Sequence, residues 1–81
     1  MRATILVRPK PGIVDPQGEA LQSSLRQLGF AVADTRVGRV IDVELANGED
    51  NPVAARAELA RACDQLLANP LIESYEIELD A

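Results

Sequence analysis

Leu71-Ile72-Glu73-Ser74-Tyr75-Glu76-Ile77-Glu78-Leu79 is the stretch on which the fold turns. Tyr75, Ile77 and Leu79 take every second position, and Glu76 and Glu78 lie between them. Successive side chains of a strand point to opposite faces, so the spacing predicts a strand with one apolar and one solvated face. Asn69-Pro70 stops the segment before it. That segment, Val53–Ala68, is rich in Ala and Leu, both good helix formers. Ala55, Leu59, Ala62, Cys63, Leu66 and Leu67 fall on one helical face, and Asn51-Pro52 supplies a cap-plus-proline start. Asn47-Gly48-Glu49-Asp50-Asn51-Pro52 reads as a polar loop. Ahead of it, Phe30–Asn47 is long and β-prone. Ile41, Val43 and Leu45 share one face there, and Asp42 and Glu44 the other. Gly38 interrupts it, as a bulge in one long strand or as a turn between two short ones.

Toward the N-terminus the signals repeat. Asp15-Pro16 predicts a helix over Pro16–Leu28, with Asp15 accepting the free N–H groups of its first turn. Leu21, Leu25 and Leu28 share a face, and Gly29 holds the stop position. Ala3–Arg8 is β-branched and apolar, a first strand ended by Pro9-Lys10-Pro11-Gly12, where Gly12 tolerates positive φ. The order is β-α-β(β)-α-β. It predicts an α+β two-layer sandwich: an antiparallel sheet with two helices on one face, related to ferredoxin-like folds, in one domain over residues 1–81. The opposite face mixes charges with apolar residues such as Val40, and a second sheet from another copy would cover it.

Composition narrows the function classes. The 81 residues are 47% apolar and 2% aromatic, with a net charge of −5, one cysteine and no histidine. No run is apolar enough to span a membrane, and the apolar run within the first ten residues is too short for a signal peptide. An acidic balance argues against nucleic acid. The lone thiol suits a reducing cytoplasm. So small a chain, with Phe30 and Tyr75 as its only large rings, makes a thin core, and self-association is expected. Residues 1–40 carry six basic and three acidic side chains, net +3, whereas residues 41–81 carry two and ten, net −8. That asymmetry could set complementary faces between copies or toward a partner.

Chemistry is scarce. Cys63 lies on the apolar helix face with no histidine to make its thiolate, which reads as a small buried hydrophobe. Lys10–Gly18 has glycines near a helix start but lacks the phosphate-loop pattern, so turn and cap roles explain it. Glu73, Glu76, Glu78 and Asp80 are expected on a solvated strand face rather than as a catalytic pair. No zinc, calcium or dinucleotide signature is present.

Asp15-Pro16-Gln17-Gly18, the Leu28-Gly29 pair and Arg36-Val37-Gly38-Arg39 resemble blocks of the PurS family, the small subunit of phosphoribosylformylglycinamidine synthase. Cys63, Leu66-Leu67-Ala68-Asn69-Pro70-Leu71-Ile72-Glu73-Ser74 and Tyr75 are similar to that family's ending. The resemblance runs from about Thr4 to Leu79, with departures at Pro11, where a non-proline is expected, and at Arg39, where lysine is common. It implies a PurS-like fold and an accessory subunit with no active site of its own. Within the enzyme, a glutaminase (PurQ) releases ammonia. A synthetase (PurL) uses ATP to convert formylglycinamide ribonucleotide to formylglycinamidine ribonucleotide. The resemblance further implies that this subunit bridges the two, supports protected ammonia transfer and forms a dimer or tetramer in the cytoplasm. ATP, Mg and glutamine are then used by the complex, with no cofactor on this chain.

The residues agree at one point. Glutamine cleavage needs a Cys with a His base, and ATP use needs a phosphate cradle, neither of which the sequence offers. Lys10, Gln17, Gly18, Arg36, Val37, Gly38, Arg39, Asn69, Pro70 and Tyr75 are the candidate partner contacts, on their polar or turn character together with the family-like blocks. The alternatives are an ACT-like or ferredoxin-like ligand-sensing domain and, more remotely, a stand-alone carboxylate enzyme.

Overall fold

The computed structural model describes residues 1–46 and 51–80; Asn47–Asp50 of the expected polar loop lie outside the described residues. Three strands and two helices follow in order. They are β1 (Arg2–Pro9), α1 (Pro16–Gln27), β2 (Arg39–Glu44), α2 (Pro52–Ala62), which runs on as a π-helical turn (Cys63–Leu67), and β3 (Glu73–Asp80). The sheet is antiparallel throughout, in the order β2-β1-β3. Ile5 stands opposite Ile41 on one side and Ile77 on the other, so one register puts three isoleucines in a row on one face. That face is the core. Ala3, Ile5 and Val7 are buried with Leu59, Cys63 and Ala68, and Ile41, Val43, Tyr75, Ile77 and Leu79 are packed around them.

α2 forms as the sequence implies. The Asn51 side chain accepts from the Val53 and Ala54 N–H groups at 3.1 and 3.2 Å, which supplies partners for two of the open donors of the first turn. Its apolar face changes at Cys63. The Ala68 N–H donates to the Cys63 carbonyl at 2.9 Å, a bond five residues long. A π turn spreads more residues over each turn than an α-helix does. The inward positions after Cys63 therefore become Leu67 and Ala68, and Leu66, expected on the buried face, is 82% exposed.

Two expectations for the first half are corrected. The first concerns α1, expected beside α2 on the sheet. α2 packs against β3, and α1 makes no comparable packing with any strand. The molecule is 49 Å long, with a radius of gyration of 16.0 Å, against about 12 Å for a compact chain of this length. An eight-residue strand of about 27 Å and a twelve-residue helix of about 18 Å nearly fill that axis end to end. α1 thus forms an arm off the end of the sheet.

The second concerns the long β-prone stretch from Phe30, in which Arg39–Glu44 is the only strand among the described residues. Gly29, at φ +95°, turns the chain after α1. The return segment then runs back along the helix, held by Arg26, whose guanidinium donates to the carbonyls of Val32 (3.1 Å) and Ala33 (3.5 Å). Gly38 is neither bulge nor turn. A Cβ there would stand 2.2 Å from the Val7 carbonyl oxygen, so glycine lets the return segment cross the end of β1 at backbone contact.

Candidate functional site

The base of the arm gathers most of the sequence candidates. Lys10, just after β1, donates from Nζ to the Pro70 carbonyl at 2.6 Å, and its backbone N–H reaches the Ile72 carbonyl at 2.9 Å. Two loops far apart in sequence are thereby joined. Arg39 opens β2 and forms a two-pronged pair with Glu73 at 2.7 and 3.1 Å, with a third bond to the Leu67 carbonyl at 2.5 Å. Glu73 also accepts from the Asn69 N–H at 2.7 Å. The hydrogen bonds from Arg39, then that from Asn69, hold the Glu73 carboxyl below the usual glutamate range, and the Arg39 guanidinium is raised in return. Glu73, expected among the solvated carboxylates, belongs to this network because its odd position in β3 faces inward with Tyr75.

Asn69 is used up locally. Its side chain accepts from the Leu71 N–H at 3.1 Å, and its carbonyl accepts from Ile72 and Glu73. Its part is to fold the Asn69–Ile72 turn so that Pro70 and Leu71 project outward. Gln17, Val37, Gly38 and Arg39 line one open groove of about 310 Å³ with Ile13 and Ile72. Arg36 and Arg39 border a second, of about 410 Å³, with Arg8 and Val40. Gly18 is buried against the return segment.

Tyr75 stands apart from this end. It pairs with Val7 on the core face, and its hydroxyl donates to Asp64 at 3.3 Å. Burial, then the Asp64 charge, pushes the phenol up. The same two causes push the Cys63 thiol up, so it stays protonated and unreactive in the core.

Sequence reasoning missed the apolar part of the surface. Ile13 (38%), Val14 (71%), Leu71 (83%) and Ile72 (43%) are exposed at the base of the arm. A signal existed in Gly12-Ile13-Val14-Asp15 and Pro70-Leu71-Ile72. Apolar residues inside turns have no strand or helix face on which to hide. The arm exposes more, with Leu21 at 50%, Leu28 at 74% and Phe30 at 58%. Patches of this extent mark contact surfaces rather than catalytic clefts. Among the described residues, no three His, Cys, Asp or Glu side chains are grouped to hold a metal ion.

The fold and the sequence have counterparts. A PurS subunit of phosphoribosylformylglycinamidine synthase from Synechocystis sp. is 41% identical over 78 residues, covering 95% of this chain and 76% of the relative. The crystal structure of PurS from Methanocaldococcus jannaschii superposes with a TM-score of 0.82 at 34% identity, covering 98% and 94% of the two chains. A chain in the structure of PurLQS from Thermotoga maritima gives 0.74 at 30% identity, covering 95% and 93%. The family description "PurS: Phosphoribosylformylglycinamidine (FGAM) synthase" matches residues 2–81, and with the shared fold this establishes that the chain belongs to the PurS family.

Proposed function

We propose that the chain is the PurS subunit of phosphoribosylformylglycinamidine synthase in purine biosynthesis, a non-catalytic part that brings the PurL synthetase and PurQ glutaminase together. The observation that carries this reading is an elongated chain of the PurS family whose arm leaves Leu21, Leu28 and Phe30 exposed among the described residues. A catalytic role would need a nucleophile or base. The one thiol is buried and protonated, and the sequence has no histidine. Glutamine cleavage, ATP and Mg therefore fall to the partners, and this chain supports ammonia transfer by holding them in place. The family match favours this reading over a ligand-sensing domain. With a single unpaired thiol, the cytoplasm is the fitting compartment, and no helix among the described residues is long and apolar enough to cross a membrane.

The same surfaces support self-association, as a dimer or tetramer. α2 leaves Ile41 and Val43 on β2 half-covered, and the arm presents Leu21, Leu28 and Phe30. A lone amphipathic helix and a half-covered sheet in one chain are complementary in kind. The loops at the base of the arm, with Lys10, Gln17, Arg36, Arg39 and the Pro70-Leu71 turn, are left as the contact surface for PurL and PurQ. Reconstitution tests the main reading. Glutamine-dependent product from PurL and PurQ is expected to need this chain, and equal activity without it would overturn the proposal.

A further inference from the structure

We propose that Asp15, together with Gly18 and Gly38, forms a clasp that fixes the angle between the arm and the sheet, making Asp15 a positioning residue for assembly. The argument starts from two similar sequence signals put to different uses. Asn51-Pro52 and Asp15-Pro16 both read as helix starts. Asn51 serves its own helix. Asp15 makes no capping hydrogen bond of that geometry to α1. Its Oδ2 instead accepts the Val37 N–H, 22 residues on, at 2.7 Å. One short side chain therefore joins the first turn of the arm's helix to the end of its return segment.

The two glycines fit this joint. A Cβ on Gly18 would stand 2.3 Å from the Thr35 carbonyl and 2.5 Å from Asp15 Oδ2, so any side chain would pry the return segment from the helix at the point Asp15 holds. Gly38, one residue past Val37, lets the chain lie against the Val7 carbonyl where it enters β2. The contacts bind helix to return segment, and return segment to the end of β1. They define a direction for the arm, which no packing of α1 on the sheet supplies. The carboxyl is held below the usual aspartate range, first by the Val37 N–H and then by that of Gly18, in keeping with a charged group facing both.

The consequence for assembly rests on the self-association proposed above, whereas the clasp itself does not. Residual dipolar couplings of α1 and sheet amides separate the two. In the wild type both sets are expected to fit one alignment tensor. Asp15→Ala and Gly18→Ala are expected to need two. Asp15→Asn keeps an acceptor oxygen and is expected to fit one. Gly18→Ala raises helix propensity, so a merely local role would leave or firm the arm. Wild-type couplings in both alanine variants would overturn the clasp, and the sheet amides report in the same spectra that the body is folded. Light scattering on dilution then reads assembly. The two alanine variants are expected to raise the dissociation constant about tenfold or more, and Asp15→Asn to leave it unchanged. A loosened arm with an unchanged constant would overturn the positioning role. A wild type that stays monomeric overturns self-association and that role together, and the couplings still decide the clasp.

Discussion

The sheet with α2 and the arm from Pro16 to Val37 draw on the same kinds of residue, and only one of them closes a core. In the body, Ala3, Ile5, Cys63 and Val7 are at most 1% exposed, and Leu59 is at 4%. In α1 the one buried residue is Gly18, and Leu21 and Leu28 of its apolar face are half exposed or more. Helical periodicity is present in both. What differs is a facing surface: α2 has β1 and β3 beneath it, and α1 has its own extended return segment, a ribbon too narrow to cover a leucine face. An amphipathic pattern specifies that a helix will bury a face, and leaves open whether the cover comes from its own chain.

That contrast breaks most sharply at Ile5. Ile5→Ala removes three carbons from the centre of the register shared by all three strands. A cost of about 2–5 kcal/mol is expected, a large share of the roughly 4–12 kcal/mol available to a domain of this length. Urea unfolding at fixed protein concentration measures it. Leu28→Asp tests the arm. The side chain is 74% exposed, so the stability of dilute protein is expected to move by less than about 0.5 kcal/mol. Its self-association constant should instead fall about tenfold or more, read by light scattering. If Leu28→Asp costs dilute protein as much as Ile5→Ala, the arm has a core of its own and the contrast is lost.

The sequence was readable where structure is local. The alternation of Tyr75, Ile77 and Leu79, the Asn51-Pro52 start and the stop at Gly29 are set within a few residues, and the structure has each of them. Positive φ at Gly12 is another such feature. Long-range properties were not readable. Val32 and Val37 have strand propensity, but among the described residues their segment pairs with no strand, and propensity alone makes no ladder. The outward turn of Leu66 depends on a π turn that periodicity at 3.6 residues cannot register. The candidate surface was half legible. Charged and turn residues announced themselves, whereas Ile13, Val14 and Leu71 drew no reading of their own, and their exposure appears only in the fold.

A smaller effect is expected at the caps. Asn51→Ala removes the acceptor for two N–H groups of α2, at a cost of about 1 kcal/mol. Asn51→Asp keeps an acceptor and should cost less than half of that. Both are read by thermal unfolding, and amide exchange should show the loss confined to the first turn of α2. An equal loss in both variants would mean that the side chain is not acting as an acceptor.

The smallest expected effect lies at the junction of the two regions, in the Arg39–Glu73 pair. The Glu73 carboxyl is held low in the folded chain by Arg39 and by the Asn69 N–H. A carboxyl depressed on folding stabilises the fold above its unfolded value, and that contribution is lost as pH falls through the lower folded value. The loss should therefore begin below about pH 4.3 and grow with acidity. Arg39 is 47% exposed and Glu73 19%, so solvent screens the pair and the contribution is held to about 1 kcal/mol or less. Glu73→Gln cannot titrate. Its unfolding midpoint should be lower than the wild type's at neutral pH, and the two should converge on acidification. If Glu73→Gln keeps a constant offset from the wild type down to acid, the charge is not what joins the two loops. The Asn69 turn would then rest on its backbone bonds, the Asn69 side-chain acceptor and the bond from Lys10 to Pro70.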